Sequence, residues 1–156
     1  MTPAVTLLER LGVAHTVHAY EHDPSAEAYG SEAADALGLD PGQVFKTLVA
    51  RQADGTHVVA VVPVAGRLDL KALARAAGTK STTMADPGDA ERITGYVVGG
   101  ISPFGQRRRL ATFVDTSAEA LGSVFVSAGR RGVEIELAPA DLMAVLDGRL
   151  APIGGR

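Results

Sequence analysis

The sequence predicts a mixed α+β domain built around a curved or barrel-like sheet flanked by helices, and three observations carry that expectation. Residues 44–64, VFKTLVARQADGTHVVAVVPV, hold two β-branched runs around the glycine-bearing turn Ala53-Asp54-Gly55, the pattern of a hairpin central to a sheet. Further strand-like runs follow at LATFVDT, SVFVSAG and GVEIEL, too many and too hairpin-like for a doubly wound parallel sheet. Helical segments stand between the strands at irregular intervals rather than in strict alternation. With 156 residues, 46% of them hydrophobic and 21% charged, the chain is expected to form one domain over 1–156 with its own core.

In chain order, PAVTLLERL (3–11) places Val5, Leu7, Leu8 and Leu11 at helical spacing, and Gly12 supplies the stop. Val13 to His22 then suits a strand with Val13, His15, Val17 and Ala19 on one face and Thr16, His18, Tyr20 and His22 on the other. Ser31 is the expected cap of a short helix that Gly38 ends, and DPGQ (40–43) turns the chain into the hairpin. LDLKALARAAG fits a helix opened by Asp69 and closed by Gly78, and DPGDAERITG another with Asp86 as cap and Pro87 in its first turn. A short helix or turn around Ser117 to Leu121 separates the next two strands. GVEIEL alternates Val133, Ile135 and Leu137 with Glu134 and Glu136, APADLMAVLDG closes with a helix, and the final APIGGR reads as frayed.

Composition removes several classes of chemistry. Cysteine is absent, so the chain has no disulfide, thiolate metal site or cysteine nucleophile of its own. No run of about 18 apolar residues spans a membrane, and MTPAVTLLERLG lacks the basic start and apolar stretch of a signal peptide, which makes the cytoplasm the default location. A net charge of −3 argues against gripping nucleic acid over the whole surface, while Arg107, Arg108, Arg109 and the pair Arg130, Arg131 leave room for a local basic patch. A solvated turn and a phosphate contact both fit each cluster.

Lys46 is the first anomaly. It shares its side of the strand with Val44, Leu48 and Ala50, while Phe45, Thr47 and Val49 occupy the other, so apolar residues surround a cation on both faces. Burial of an unpaired ammonium is costly; such a lysine either snorkels to a sheet edge or serves an anionic ligand in a cleft. His15, His18 and His22 lie close in sequence, but alternation turns His15 away from the other two and no HExxH helix is present, so ordinary strand and turn histidines are the better reading and no metal is expected. Ser102 and Ser127 lack a G-x-S-x-G elbow, and neither G-x-G-x-x-G after a first strand nor G-x-x-x-x-G-K-[ST] occurs. Glu134 and Glu136 share a strand face that in most half-buried strands meets water. The segment TGYVVGGISPFGQ (94–106) breaks an apolar run at Gly99-Gly100 and stiffens it at Pro103; such a loop presents amides to a ligand or makes a tight connection, and one glycine pair allows both.

Taken together, YEHDP, LGLDPGQVFKTL, VVPVAGRLDLK, MADP, TGYVVGGISPFGQRRRL and VSAGRRGVEIELAPADL resemble the YbaK/EbsC family of free-standing aminoacyl-tRNA editing proteins, most closely its cysteinyl-tRNA(Pro) deacylases. The resemblance covers nearly the whole chain. It implies the fold of the editing insertion of prolyl-tRNA synthetase, with Lys46 as the site cation and Gly99 to Pro103 as the substrate loop. It implies further that the amides of Gly100, Ile101 and Ser102 face the developing negative oxygen, and that Tyr20, Phe45, Thr47, Ser127 and Gly129 line the pocket. Where this strand carries Glu134 the family more commonly has aspartate, so a carboxylate that positions the substrate amine would be displaced by about one carbon-carbon bond.

The implied substrate is the acceptor end of mischarged tRNA(Pro), cleaved without a cofactor, in transient complex with prolyl-tRNA synthetase, with Arg107, Arg108 and Arg109 as contacts to the tRNA backbone. Cysteine and proline are similar in size, so a synthetase pocket separates them poorly and a second sieve is needed. The resemblance suggests that the substrate's own thiol attacks its carbonyl and leaves as a cyclic thiolactone. Two other readings stay open: a deacylase of alanyl-tRNA(Pro) or another small misacylated residue by water attack, and a noncatalytic module that binds tRNA or a synthetase.

Overall fold

In the computed structural model, residues 1–25 and 29–155 are described. The first helix, α1 (Pro3–Leu11), starts where Thr2 Oγ1 accepts from the Val5 N–H and ends at Gly12 in the left-handed conformation, φ 68°. A short strand, β1 (Thr16–Ala19), leads to α2 (Tyr29–Leu37). The hairpin β2 (Phe45–Gln52) and β3 (His57–Pro63) follows, then α3 (Leu70–Ala77), β4 (Thr82–Met84) and α4 (Pro87–Thr94). The last third holds β5 (Thr112–Asp115), a 3₁₀ turn (Thr116–Ala120), β6 (Val124–Ser127), β7 (Val133–Leu137), α5 (Pro139–Leu146) and β8 (Arg149–Ala151).

The strands form a five-stranded mixed sheet, β4-β2-β3-β5-β8, and a three-stranded antiparallel one, β1-β7-β6. The hairpin pairs antiparallel, whereas β3–β5 and β5–β8 pair parallel. A parallel bridge between Val44 and Phe125 joins the two sheets where β2 begins.

Apolar alternation explains the layers. Val59 and Val61 of β3 face one core with Phe45, Val114, the inward residues of β6 and β7, and Ala4, Val5 and Leu8 of α1. Val58, Ala60 and Val62 face a second core with Ala72 and Leu73 of α3, Phe113 and Ile153. The central strand is therefore apolar throughout because both of its faces are covered.

Several local expectations are corrected. Ser31 does not cap α2, because the helix already begins at Tyr29 and Ser31 lies in its first turn. The strand expected over 13–22 shrinks to Thr16–Ala19: Val13 still donates its N–H to Leu8 O at the end of α1, and β7 pairs only with residues 16–19. The strands β4 and β8 had no sequence signal. Each is three residues long, and each exists because a longer strand offers it an edge.

The ending is not frayed. Ile153 is fully buried, and the Ile153 and Gly154 N–H groups donate to Asp115 Oδ1 at 3.0 and 2.7 Å. Gly154 bridges Leu68, the Asp69 N–H donates to Ile153 O at 2.8 Å, and the Gly155 N–H donates to Arg67 O. The final segment thus straps down the loop between β3 and α3.

Candidate active site

The strand β2 has neighbours of unequal length. β3 runs along the whole of one edge, but β4 covers the other only at Ala50–Gln52. The edge near Phe45–Leu48 therefore opens into a cavity of about 590 Å³, walled by β2, β4, α4, the 97–101 turn and the β6–β7 turn. Lys46 is half-buried there, and its Nζ donates to Gly66 O at 2.9 Å. Burial, and secondarily the nearby Arg67 guanidinium, hold its pKa below the usual lysine value. Thr47 Oγ1 is buried beside it with no hydrogen-bond partner among the described residues.

Glu134 enters from the small sheet. Strand register sets it opposite Ser127 of β6 and His18 of β1. It is 6% exposed, and burial pushes its pKa up to about 8. Its strand companion Glu136 is half-exposed and satisfied, accepting from Ser123 Oγ at 2.7 Å and meeting His18 Nε2 at 2.9 Å. The expectation that both carboxylates meet water thus holds for Glu136 only: β6 and β1 flank β7 at both positions, but Glu134 is buried in the cavity wall. Lys46 and Glu134 line one cavity, but no ion pair joins them among the described residues.

The glycine loop is explained by packing. Gly99 has φ 95°, open to glycine. A Cβ on Gly100 would stand 2.9 Å from Arg130 Cα, so its absence lets this turn lie directly on the β6–β7 turn. The Gly100 N–H donates to Val97 O at 2.8 Å and is already engaged. The Ile101 and Ser102 amides have no main-chain acceptor among the described residues. Below them Tyr96 O–H donates to Phe104 O at 2.6 Å, and a Cβ on Gly129 would come within 2.6 Å of the Tyr96 ring. Tyr96 and Gly129 together hold the loop from beneath.

Of the expected site residues, Tyr20, Phe45, Lys46, Thr47, Gly99, Ile101, Ser127 and Glu134 line the cavity. Gly100 and Gly129 are packing positions behind it. Ser102 is fully buried with its Oγ accepting from the Phe104 N–H, and Pro103 faces a second groove of about 250 Å³. Arg108 and Arg109 rim that second groove with Arg10, and Arg107 lies over Gly95 at the end of α4.

The cavity wall also includes Arg130, whose cluster with Arg131 fits either a solvated turn or a phosphate contact in the sequence, and Met84, Pro87 and Val98, which carry no mark of chemistry there. The last three lie in MADP and VVGG, which say nothing of one another until the fold joins them. Among the described residues, no three His, Asp or Glu side chains are placed to share an ion.

A family model described as the aminoacyl-tRNA editing domain matches residues 23–145. The chain is 40% identical over 135 residues to EbsC of Enterococcus faecalis (strain ATCC 700802 / V583), named as a candidate Cys-tRNA(Pro)/Cys-tRNA(Cys) deacylase, covering 86% of this chain and 82% of that protein. A solved structure described as a candidate trans-editing enzyme for prolyl tRNA synthetase superposes with a TM-score of 0.86 at 25% identity, over 99% of this chain and 96% of that one. The hypothetical protein APE2540 shares the fold, with a TM-score of 0.87 at 22% identity over 97% of this chain and 98% of its own.

Proposed function

The chain belongs to the aminoacyl-tRNA editing domain family, in its YbaK/EbsC branch, and on that premise we propose that it is a deacylase that removes cysteine mischarged onto tRNA(Pro). The observation that carries the reading is one cavity lined by the Lys46 cation, the buried Glu134 and Ile101, in a chain that has no cysteine of its own. That combination suits a substrate that brings its nucleophile with it.

In the proposed reaction the cysteinyl thiol loses its proton and its sulfur attacks the carbonyl carbon of its own ester. A carbon-sulfur bond forms, the bond to the ribose oxygen breaks, and that oxygen takes the proton. The products are tRNA with a free terminal hydroxyl and a cyclic cysteine thiolactone, which water then opens. Lys46 and the Ile101 N–H stabilise the oxygen that gains charge. Glu134 pairs with the substrate amine, whose positive charge draws the carboxyl pKa back down. Tyr20, Phe45, Thr47 and Ser127 shape the chamber for a small side chain.

Arg130, exposed on the cavity wall, is assigned to the first backbone phosphate of the acceptor end, and Arg107, Arg108 and Arg109 to phosphates further along the tRNA. Transient association with prolyl-tRNA synthetase would supply the selection of tRNA that a small acidic domain lacks.

The test is deacylation of cysteinyl-, alanyl- and seryl-tRNA(Pro) by the protein and by Lys46→Ala, with chelator present. Release confined to cysteine and lost in the variant is the expected result. Release of alanine or serine at a comparable rate replaces thiol attack by water attack. No release from any of them leaves a binding module.

A further inference from the structure

Three exposed apolar side chains from separate segments share one wall of the cavity. Met84 ends β4, Pro87 begins α4, and Val98 stands in the turn before Gly99. Met84 is 48% exposed, Val98 40%, and the adjoining Val97 71%. Val98 is not there by looseness: its N–H donates to Glu91 Oε2 at 2.8 Å, one turn of α4 beyond Pro87, and the Ala85 N–H donates to Val49 O at 3.0 Å. Two hydrogen bonds therefore hold an apolar surface open to water, an arrangement that points to a ligand.

The occupant follows from where the ester must lie. Lys46, Thr47 and Glu134 are buried or half-buried, whereas Met84, Pro87, Val98 and Arg130, together with Ser31 of α2, are exposed residues of the same cavity lining. An ester whose carbonyl sits by Lys46 and Ile101 has its ribose on the outward side, and the attached base then falls among those exposed residues. A cavity of about 590 Å³ is far larger than a cysteinyl group requires and leaves space for the nucleoside. Thioether and proline surfaces pack well on the face of a planar base.

We propose that Met84, Pro87 and Val98 form the seat of the terminal nucleobase of the substrate, gripping its faces and leaving its hydrogen-bonding edge unread. The proposal rests on the aminoacyl-ester reading above and extends it to the nucleoside. Binding through the faces makes the seat tolerant of which base occupies it.

The chain has three methionines, Met1, Met84 and Met143, so labelling their ε-methyl carbons gives one reporter in the seat and two outside it. Titration with adenosine 5′-monophosphate should shift the Met84 methyl signal saturably through the ring current of the base, leave Met143 unmoved, and lose its effect in Val98→Asp. In steady-state cleavage of a cysteinyl minihelix, Val98→Asp should raise KM at least tenfold with kcat within about twofold. No shift at Met84, a shift at Met143 in its place, or a fall in kcat with KM unchanged would overturn the seat. A saturable Met84 shift in a protein that cleaves no aminoacyl-tRNA would uphold the seat while removing the deacylase reading, so the two fail separately.

Discussion

The Lys46 ammonium lies 2.9 Å from the Gly66 carbonyl oxygen, and this contact ties the strand that carries the cation to the loop after β3. The carbonyl satisfies one of three ammonium donors and leaves the others for the cavity. Lys46→Met should lower cysteinyl-tRNA(Pro) deacylation by about 100-fold or more, the scale of losing one oxyanion donor. Its melting temperature should equal or exceed that of the parent, since a desolvated cation is replaced by an apolar side chain. Single-turnover rates beside thermal melts check both; retained activity removes Lys46 from the chemistry.

Gly155 presses on the same loop. A Cβ there would stand 2.9 Å from Arg67 O and must displace the backbone next to Gly66. Gly155→Ala should reduce kcat by about tenfold, on the scale of a small misplacement of a reacting group, with little change in KM or melting temperature. Kinetics on the full chain decide it, and a change in KM alone would assign the loop to binding.

Glu134 gives the fold a pH dependence of definite sign. Its carboxyl titrates at about 8 in the folded chain against 4.5 for an ordinary glutamate. Between those values the folded state holds a proton that the unfolded state has released, so stability is full at the acid end and falls as pH rises through about 8. Glu134→Gln should lack that decline and melt progressively higher than the parent across this range, while losing cysteinyl-tRNA deacylation. Melting curves at a series of pH values test the first claim, and a constant gap between the two proteins would refute it.

Gly129 combines φ 113° with a Tyr96 ring carbon 2.6 Å from where its Cβ would be. Gly129→Ala should cost about 2 kcal/mol or more of stability, because strain and overpacking act together. Gly122, with nothing within 4 Å of a Cβ, is the matched control, and its alanine variant should stay within about 0.5 kcal/mol of the parent. Urea unfolding of both variants measures the difference.

Arg130 stands on the cavity wall, whereas Arg108 and Arg109 rim the other groove. Arg130→Ala should weaken binding of a short acceptor-end oligonucleotide and reduce the slope of log K against log salt by about 0.7. Arg108→Ala should alter the slope only with a substrate long enough to reach the second groove. Equal effects of both variants on the short oligonucleotide would refute the division.

The hairpin, the five helices and β5 to β7 were legible because each has a local cause: β-branched runs at 44–64, Asp69 and Gly78 around α3, alternation in GVEIEL. β4 and β8 were not, since Thr82–Met84 and Arg149–Ala151 have no pattern of their own and form only where a neighbour supplies an edge. The site divides in the same way. Lys46 announced itself as a charge among apolar residues. Glu134 looked like its half-exposed companion Glu136, and only its burial in the cavity wall separates them. Gly100 suggested room for a ligand, and its missing side chain proved to make room for Arg130.

The strap formed by Ile153, Gly154 and Gly155 has a consequence for the order in which the protein becomes competent during synthesis. Lys46 leaves the ribosome first, but the loop that orients it is pinned by residues made more than a hundred positions later. A nascent chain halted before Ile153 can form the hairpin and still lack a fixed acceptor for its ammonium. Competence therefore waits for the 153–155 segment, which acts as a latch on a cation laid down more than a hundred residues before it.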